Sequence, residues 1–195
     1  VGQHGLHKGI GTLIAAMPSV WKRFPETRLI IAGGKTAFTP GFTRMSEFFD
    51  DEKKKKIVFF DNIDEETKSG ILRECDIFAT PSGFESFGIT ILEAWKRKKP
   101  VVACRIEATM NLVEEYKTGL LVDYENTGEL AAALVELIAD EGLRRKLGES
   151  GYKKLEAEYS WEKVGREYHN FYSILATEST EVTEAKKNMK VTQSA

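Results

Sequence analysis

The stretch Pro81-Ser82-Gly83-Phe84-Glu85-Ser86-Phe87-Gly88-Ile89-Thr90-Ile91-Leu92-Glu93-Ala94 predicts a small-residue loop that opens a helix. The segment before it, residues 75–80, predicts a short buried strand, and residues 89–97 predict the helix. A strand, a loop and a helix start aim unpaired backbone N–H groups and the positive end of a helix dipole at one point. This arrangement suits a phosphate, and Gly88 is expected to let an anion approach the backbone closely.

The two glutamates of this stretch are expected to face one pocket. Glu85 lies in the loop, and Glu93 lies about one turn into the helix, where side chains lean back toward the N-terminus. Carboxylates repel a diphosphate, so the expected partners are the hydroxyls of a ribose or a sugar ring. The alternative is that both are exposed charges beside a structural turn.

The spacing of the glutamates carries a resemblance to a known family. Glu85 and Glu93 have seven residues between them, and Pro81, Phe87 and Gly88 are in register with them. The stretch resembles the E-x7-E motif of retaining glycosyltransferases of the GT-B fold, family 4 (glycosyl transferases group 1). The resemblance implies a C-terminal donor-binding domain of such an enzyme over residues 1–175. Residues 176–195 are polar and predict a mobile tail.

The pattern of elements predicts an α/β fold. Strands alternate with helices, which favours right-handed crossovers and a doubly wound, Rossmann-like parallel sheet with helices on both faces. The ligand is then expected beyond the carboxyl ends of the strands. The predicted strands are residues 28–32, 57–60, 76–79, 100–104 and 117–123, and the predicted helices are residues 10–24, 43–52, 64–74, 89–97, 127–139, 141–158 and 160–175.

Composition indicates an ordinary globular domain. The chain has 195 residues, 42% hydrophobic and 30% charged, with a formal net charge of −2. This charge gives no reason to expect nucleic acid as a partner, and no apolar run predicts a transmembrane segment or a signal peptide. We therefore expect a cytoplasmic protein, with peripheral membrane attachment through a missing N-terminal half as an alternative. Cys75 and Cys104 predict two buried thiols in a reducing compartment rather than a disulfide or a metal site.

The glycine-rich turn over residues 2–9 resembles the family's Gly-Arg-Leu-x-x-x-Lys-Gly. The resemblance implies that Lys8 holds the donor's diphosphate, with the neutral Gln3 in place of the arginine. The turn also contains His4 and His7, which we expect to face solvent rather than bind a metal. Val1-Gly2 is typical of a strand end, so the chain is expected to start inside a fold.

Further roles follow from the same resemblance. The loop over residues 61–63 is expected to line the base, with Asp61 where the family has glycine. Glu93 is expected to hold the ribose, residues 87–90 the diphosphate, and Glu85 the transferred sugar. The expected catalytic residues are Glu85 and Lys8, and the expected donor-binding residues are Gln3, Lys8, Gly33, Asn62, Ile63, Glu85, Ser86, Phe87, Gly88, Ile89, Thr90 and Glu93.

The predicted function is transfer of a sugar from a nucleotide-diphosphate sugar to an acceptor, without metal or cofactor. The acceptor site is expected in an N-terminal GT-B domain that the chain lacks, so the isolated domain is expected to be weakly active or inactive. The alternatives are a non-catalytic nucleotide-sugar-binding or interaction module and a glycosyl phosphorylase of the same fold. The module is motivated by Gln3, in place of the family's arginine, and by Glu107, Ala108 and Asn111, which replace family residues near the donor sugar. The base, sugar, acceptor and oligomeric state stay open.

Overall fold

The structure is a computed structural model that describes the backbone of residues 2–192 and the side chains of residues 2–176. The chain divides into two compact units, Val1–Lys153 and Lys154–Ala195. The predicted α/β class, with parallel strands and helices on both sides, is confirmed. The predicted domain boundary at residue 175 stays a prediction.

The five described strands form two parallel sheets rather than the single predicted sheet. In the first sheet Leu29 pairs with Ile57, and in the second Phe78 pairs with Val101 and Val102 with Leu120. The strands are β1 (Leu29–Gly33), β2 (Ile57–Asp61), β3 (Phe78–Thr80), β4 (Val101–Cys104) and β5 (Leu120–Val122). A cavity of about 490 Å³ is lined by residues of both β1 and β3, so it lies beside an edge of each sheet.

Local sequence sets where the helices begin. The Asp64 side chain accepts a hydrogen bond of 2.8 Å from the Thr67 N–H, and Asn126 caps the next long helix through the Glu129 N–H at 3.0 Å. The helices are a 3-10 turn (Leu6–Lys8), α1 (Ile10–Trp21), α2 (Thr39–Ser46), α3 (Asp51–Lys54), α4 (Glu65–Glu74), α5 (Ile89–Trp95), α6 (Glu107–Met110), α7 (Thr127–Ala139), α8 (Glu141–Glu158) and α9 (Trp161–Thr192).

Four predicted helices have different bounds in the structure, and the one predicted over residues 10–24 ends at Trp21. Residues 43–52 were predicted as one helix, but α2 and α3 are separate because Asp50, in an extended conformation, caps α3. The helix at residue 89 ends at Trp95, two residues early, and α9 continues to Thr192 instead of ending at 175. The predicted tail therefore has helical backbone to that residue, while its side chains from 177 and residues 193–195 lie outside the described part. Its mobility stays a prediction.

The core of the first unit is built on β4 and two helices. All four residues of β4 are fully buried, as a continuous apolar strand covered on both faces requires. Helices α1 and α7 contact each other and contribute buried apolar side chains to one cluster. Trp95 is also fully buried, and its indole N–H donates to the Thr118 carbonyl at 3.1 Å. This hydrogen bond ties α5 to the segment that leads into β5.

Cys104 is buried as predicted, whereas Cys75 is only half-buried, and both are free thiols in the structure. Burial raises the pKa of both thiols above the ordinary value. No helix of the described residues is both long and apolar enough to cross a membrane.

Replacing Leu137 by alanine should lower the free energy of unfolding by about 2–5 kcal/mol, because it leaves a cavity beneath α7. Leu137 is fully buried. Phe48→Ala is the control, since that side chain is 86% exposed and its loss should change stability by no more than about 0.5 kcal/mol. Urea denaturation of both variants measures the difference. Equal effects would contradict the described core.

Candidate functional site

The glycine-rich turn and the Pro81–Ala94 stretch are held together by backbone contacts. The His7 carbonyl accepts hydrogen bonds from the Gly83 N–H at 2.8 Å and from the Ser82 hydroxyl at 3.1 Å. Gly9 adopts a left-handed conformation with φ 68°, and a Cβ atom there would overlap the Pro81 carbonyl oxygen. The turn lies so close to the loop that only glycine fits at position 9.

This contact places the two predicted catalytic residues side by side. The Lys8 ammonium donates to the Glu85 carboxylate with an Nζ–Oε1 distance of 2.7 Å. The two side chains keep only 25% and 14% of their surface exposed. A charge-assisted pair that is partly screened from water holds both side chains in one geometry.

The start of α5 follows the same loop. Its N-cap, Gly88, is left-handed with φ 90°, and no side chain caps the first turn. Ser86, Phe87 and Ile89 are exposed around it, and Thr90 is half-buried. The first-turn N–H groups are therefore not occupied by a capping side chain, as an anion site requires.

Packing of the interior gives a reason for glycine at position 88 that the sequence did not reveal. A Cβ atom on Gly88 would lie 3.0 Å from a methyl group of Leu112 and 3.2 Å from one of Ile91, both in the interior. The missing side chain therefore makes room for the core, and the close approach of an anion to this backbone stays a prediction. The positive φ adds a second requirement for glycine.

Glu93 has a partner that the sequence did not reveal. The Lys68 ammonium, on α4, lies 2.7 Å from Glu93 Oε1 and also 2.7 Å from a carboxylate oxygen of Glu65. The other oxygen of Glu93, Oε2, is buried and has no hydrogen-bond partner in the structure. No local spacing signals Lys68, because it is 25 residues from Glu93.

The remaining predicted residues lie at the carboxyl ends of β1 and β2. A Cβ atom on Gly33 would overlap the Gly2 carbonyl, because the Gly2 N–H bonds the Ala32 carbonyl at 3.0 Å. Asn62 is left-handed with φ 53°; its N–H donates to the Gly33 carbonyl at 2.6 Å, and its side-chain oxygen accepts from the Lys35 N–H at 2.9 Å. Ile63 is half-buried and Gln3 is exposed.

The prediction that His4 faces solvent is wrong, whereas His7 is exposed as expected. The His4 main chain bonds residues 34 and 36, which turns its ring inward. Its Nδ1 lies 3.1 Å from the Thr39 hydroxyl and 3.8 Å from the Asp61 carboxylate, and its Nε2 is buried without a partner. Burial lowers the pKa of His4, and the Asp61 carboxylate opposes this effect only in part.

Two cavities lie near the strands of the first unit. A cavity of about 50 Å³ is lined by Gln3, His4 and Lys8 together with Thr80 and Pro81, so it joins the turn to the end of β3. The cavity of about 490 Å³ includes none of the predicted donor-binding residues. We assign the candidate site to the turn and the start of α5 because Lys8 of the turn pairs with Glu85 in the loop that leads into α5. Among the described residues, no group of three or more His, Cys, Asp or Glu side chains could hold a metal ion.

The family described as glycosyl transferases group 1 matches residues 1–154 of the chain. The chain belongs to this family. The match covers the turn, the Pro81–Ala94 stretch and both sheets. It confirms the glycosyltransferase resemblance, while family 4 and the retaining outcome stay predictions.

Relatives agree with this assignment. D-inositol 3-phosphate glycosyltransferase of Corynebacterium glutamicum is 33% identical over 178 residues, which cover 89% of this chain and 42% of that protein. The crystal structure of the C-terminal domain of a glycosyl transferase group 1 protein from Francisella tularensis superposes with a TM-score of 0.76 at 26% identity, covering 83% of this chain and 84% of that one. The chain thus spans less than half of the curated relative but most of the isolated domain.

A third similar protein was solved with a ligand. Anabaena HepE, in complex with UDP and glucose, has a TM-score of 0.76 at 21% identity, covering 88% of this chain and 47% of that one. At this identity the likeness shows the fold.

Gly9→Ala should destabilise the protein by about 1–3 kcal/mol, because the added Cβ forces the turn away from Pro81 and the backbone is left-handed. Gly11→Ala is the matched control two residues along. That glycine lies inside α1, and a Cβ there would have no neighbour closer than 3.6 Å, so alanine should stabilise by about 0.5–1 kcal/mol. Urea denaturation measures both. Opposite signs support the contact, and a neutral Gly9→Ala contradicts it.

Acid should destabilise the fold partly through His4. Because the pKa of His4 is lowered on folding, the unfolded chain takes up a proton below about pH 6.5 while the folded chain resists it. The stability from neutral His4 is full above pH 6.5 and is lost as the pH falls, by at most about 1.4 kcal/mol per unit. Denaturation at several pH values should show a shallower dependence in His4→Asn than in the wild type. Identical slopes in the two proteins count against a buried neutral His4.

Proposed function

We propose that this chain is the donor-binding domain of a retaining glycosyltransferase, which moves a sugar from a nucleotide-diphosphate sugar to an acceptor. The observation that carries the proposal is the contact between the glycine-rich turn and the loop before α5. It sets the Lys8 ammonium beside Glu85, which lies in the loop just before the start of α5, where no side chain caps the helix. Membership of the glycosyl transferases group 1 family supports the reaction class.

In this proposal the diphosphate lies against Lys8 and the first N–H groups of α5. An ammonium and a helix N-terminus both stabilise negative charge, which grows on the diphosphate as the sugar leaves. Glu85 positions Lys8 before the donor arrives, because their pair is already formed at 2.7 Å. Once the Lys8 ammonium turns to the diphosphate, the Glu85 carboxylate can accept hydrogen bonds from hydroxyls of the transferred sugar.

Glu93 holds the ribose in this proposal. Its Oε2 is a buried acceptor without a partner, and such an atom costs about 1–3 kcal/mol until a donor reaches it. A ribose hydroxyl is a donor of the right kind. The loop that contains Asn62 and Ile63, at the end of β2, lines the base in this proposal.

The whole enzyme would need more than this domain. The chain spans 42% of the Corynebacterium relative, and we propose that an N-terminal GT-B domain supplies the acceptor site. Activity of the isolated chain should then be weak or absent. Metal independence and cytoplasmic location belong to the same proposal.

A non-catalytic donor-binding module is the second candidate. Gln3, which is exposed, stands where the family resemblance implies arginine, and a neutral amide gives up a charged hydrogen bond worth roughly 1.5–3 kcal/mol. The two candidates differ when this domain is joined to its N-terminal domain and given donor and acceptor. An enzyme would then release nucleoside diphosphate, whereas a module would bind the donor without turnover.

Calorimetry with UDP-, GDP- and ADP-sugars should show binding of at least one donor at millimolar concentration or below. Glu93→Ala should weaken that binding about tenfold or more, because it removes charged hydrogen bonds to the ribose. Glu47→Ala, at an exposed glutamate on the surface, is the control and should bind like the wild type. Absence of binding to all three donors by the wild type would defeat the proposal.

A further inference from the structure

Lys68 links two carboxylates across two helices. From α4 its ammonium reaches Glu65 on the same helix and Glu93 on α5, each at 2.7 Å. The Lys68 side chain is 19% exposed and Glu93 is 27% exposed, whereas Glu65 is 87% exposed. The contact with Glu93 is therefore the sheltered one of the two.

The ammonium makes the two oxygens of Glu93 different. Oε1 is occupied by Lys68, and Oε2 is buried without a hydrogen-bond partner. A carboxylate held by one oxygen is restricted in its rotation, so the other oxygen keeps a fixed direction. The arrangement leaves one defined acceptor instead of a freely turning group.

Lys68 stays charged in this position. Burial alone lowers its pKa, but the hydrogen bonds that the ammonium donates to Glu65 and Glu93 outweigh that effect, and the pKa is raised above the ordinary value. Lys68 is therefore a cation at neutral pH. Glu65 adds little fixed geometry of its own, because an exposed ion pair is weak.

We propose that Lys68 is the positioning residue for Glu93: it holds Oε1 so that Oε2 is aimed at a ribose hydroxyl of the bound nucleotide. The inference rests on the proposed function, in which Glu93 holds the ribose. Lys68 itself does not touch the nucleotide. Its loss should reduce the preference for ribose over deoxyribose and leave the affinity for the diphosphate unchanged.

The test compares ribonucleotides with their deoxy forms. Calorimetry with UDP, GDP and ADP, and with the 2′-deoxy and 3′-deoxy counterpart of whichever binds best, gives the ratio of dissociation constants. In the wild type at least one deoxy form should bind about tenfold more weakly. In Lys68→Ala that ratio should fall to about threefold or less, while the deoxy nucleotide itself binds nearly as before.

Matched variants separate positioning from folding. Lys68→Arg keeps a cation and should restore most of the ratio, and Glu65→Gln should leave it at the wild-type value. Lys68→Gln replaces Lys68→Ala should the alanine variant unfold, since it keeps much of the side-chain length and lacks the charge. Circular dichroism and thermal midpoints check that each variant is folded.

The outcomes separate the role of Lys68 from the proposal of donor binding. A folded Lys68→Ala or Lys68→Gln protein that keeps the wild-type ratio overturns the role of Lys68 and leaves donor binding standing. An equal loss for ribo and deoxy nucleotides shows a structural role only and also overturns it. A wild type that binds none of the three nucleotides overturns donor binding together with the role of Lys68.

Discussion

The site depends on one close backbone contact, Gly9 against the carbonyl of Pro81. The His7 carbonyl reinforces it by accepting hydrogen bonds from Ser82 and Gly83. Residues separated by about 75 positions in sequence are thereby brought together. Without the contact, Lys8 would be a solvated surface lysine, because nothing else in the described structure directs it toward Glu85. With it, a cation, a carboxylate and a helix start become neighbours.

Two lysine–glutamate pairs fix the orientations of the glutamate side chains in the loop and in α5. Lys8 takes one oxygen of Glu85, and Lys68 takes one oxygen of Glu93, each at 2.7 Å. All four side chains are mostly buried, so these pairs hold geometry better than exposed surface pairs do. A site that is organised before the ligand arrives avoids part of the entropy cost of binding.

The sequence predicted the elements better than the contacts between them. The spacing of apolar residues and the capping residues predicted α7 and α8 with their observed bounds. Asp64 was also predicted correctly as the cap of α4. The burial of His4 was missed because it depends on Thr39, 35 residues away, and on a turn that lies against β1. Lys68 was missed for the same reason. The spacing of Glu85 and Glu93 indicated a shared site, but their partners come from distant elements that no local pattern marks.

The measurement that tests the account most directly is a ¹⁵N–¹H NMR titration with the tightest-binding nucleoside diphosphate among UDP, GDP and ADP. If the turn and the start of α5 form one diphosphate site, the amides of Lys8, Ile89 and Thr90 should shift together with a single dissociation constant. Amides at the distant end of α7, such as Ala139, should stay in place. Shifts confined to one of the two segments, or spread over α7 with neither segment affected, would contradict the account.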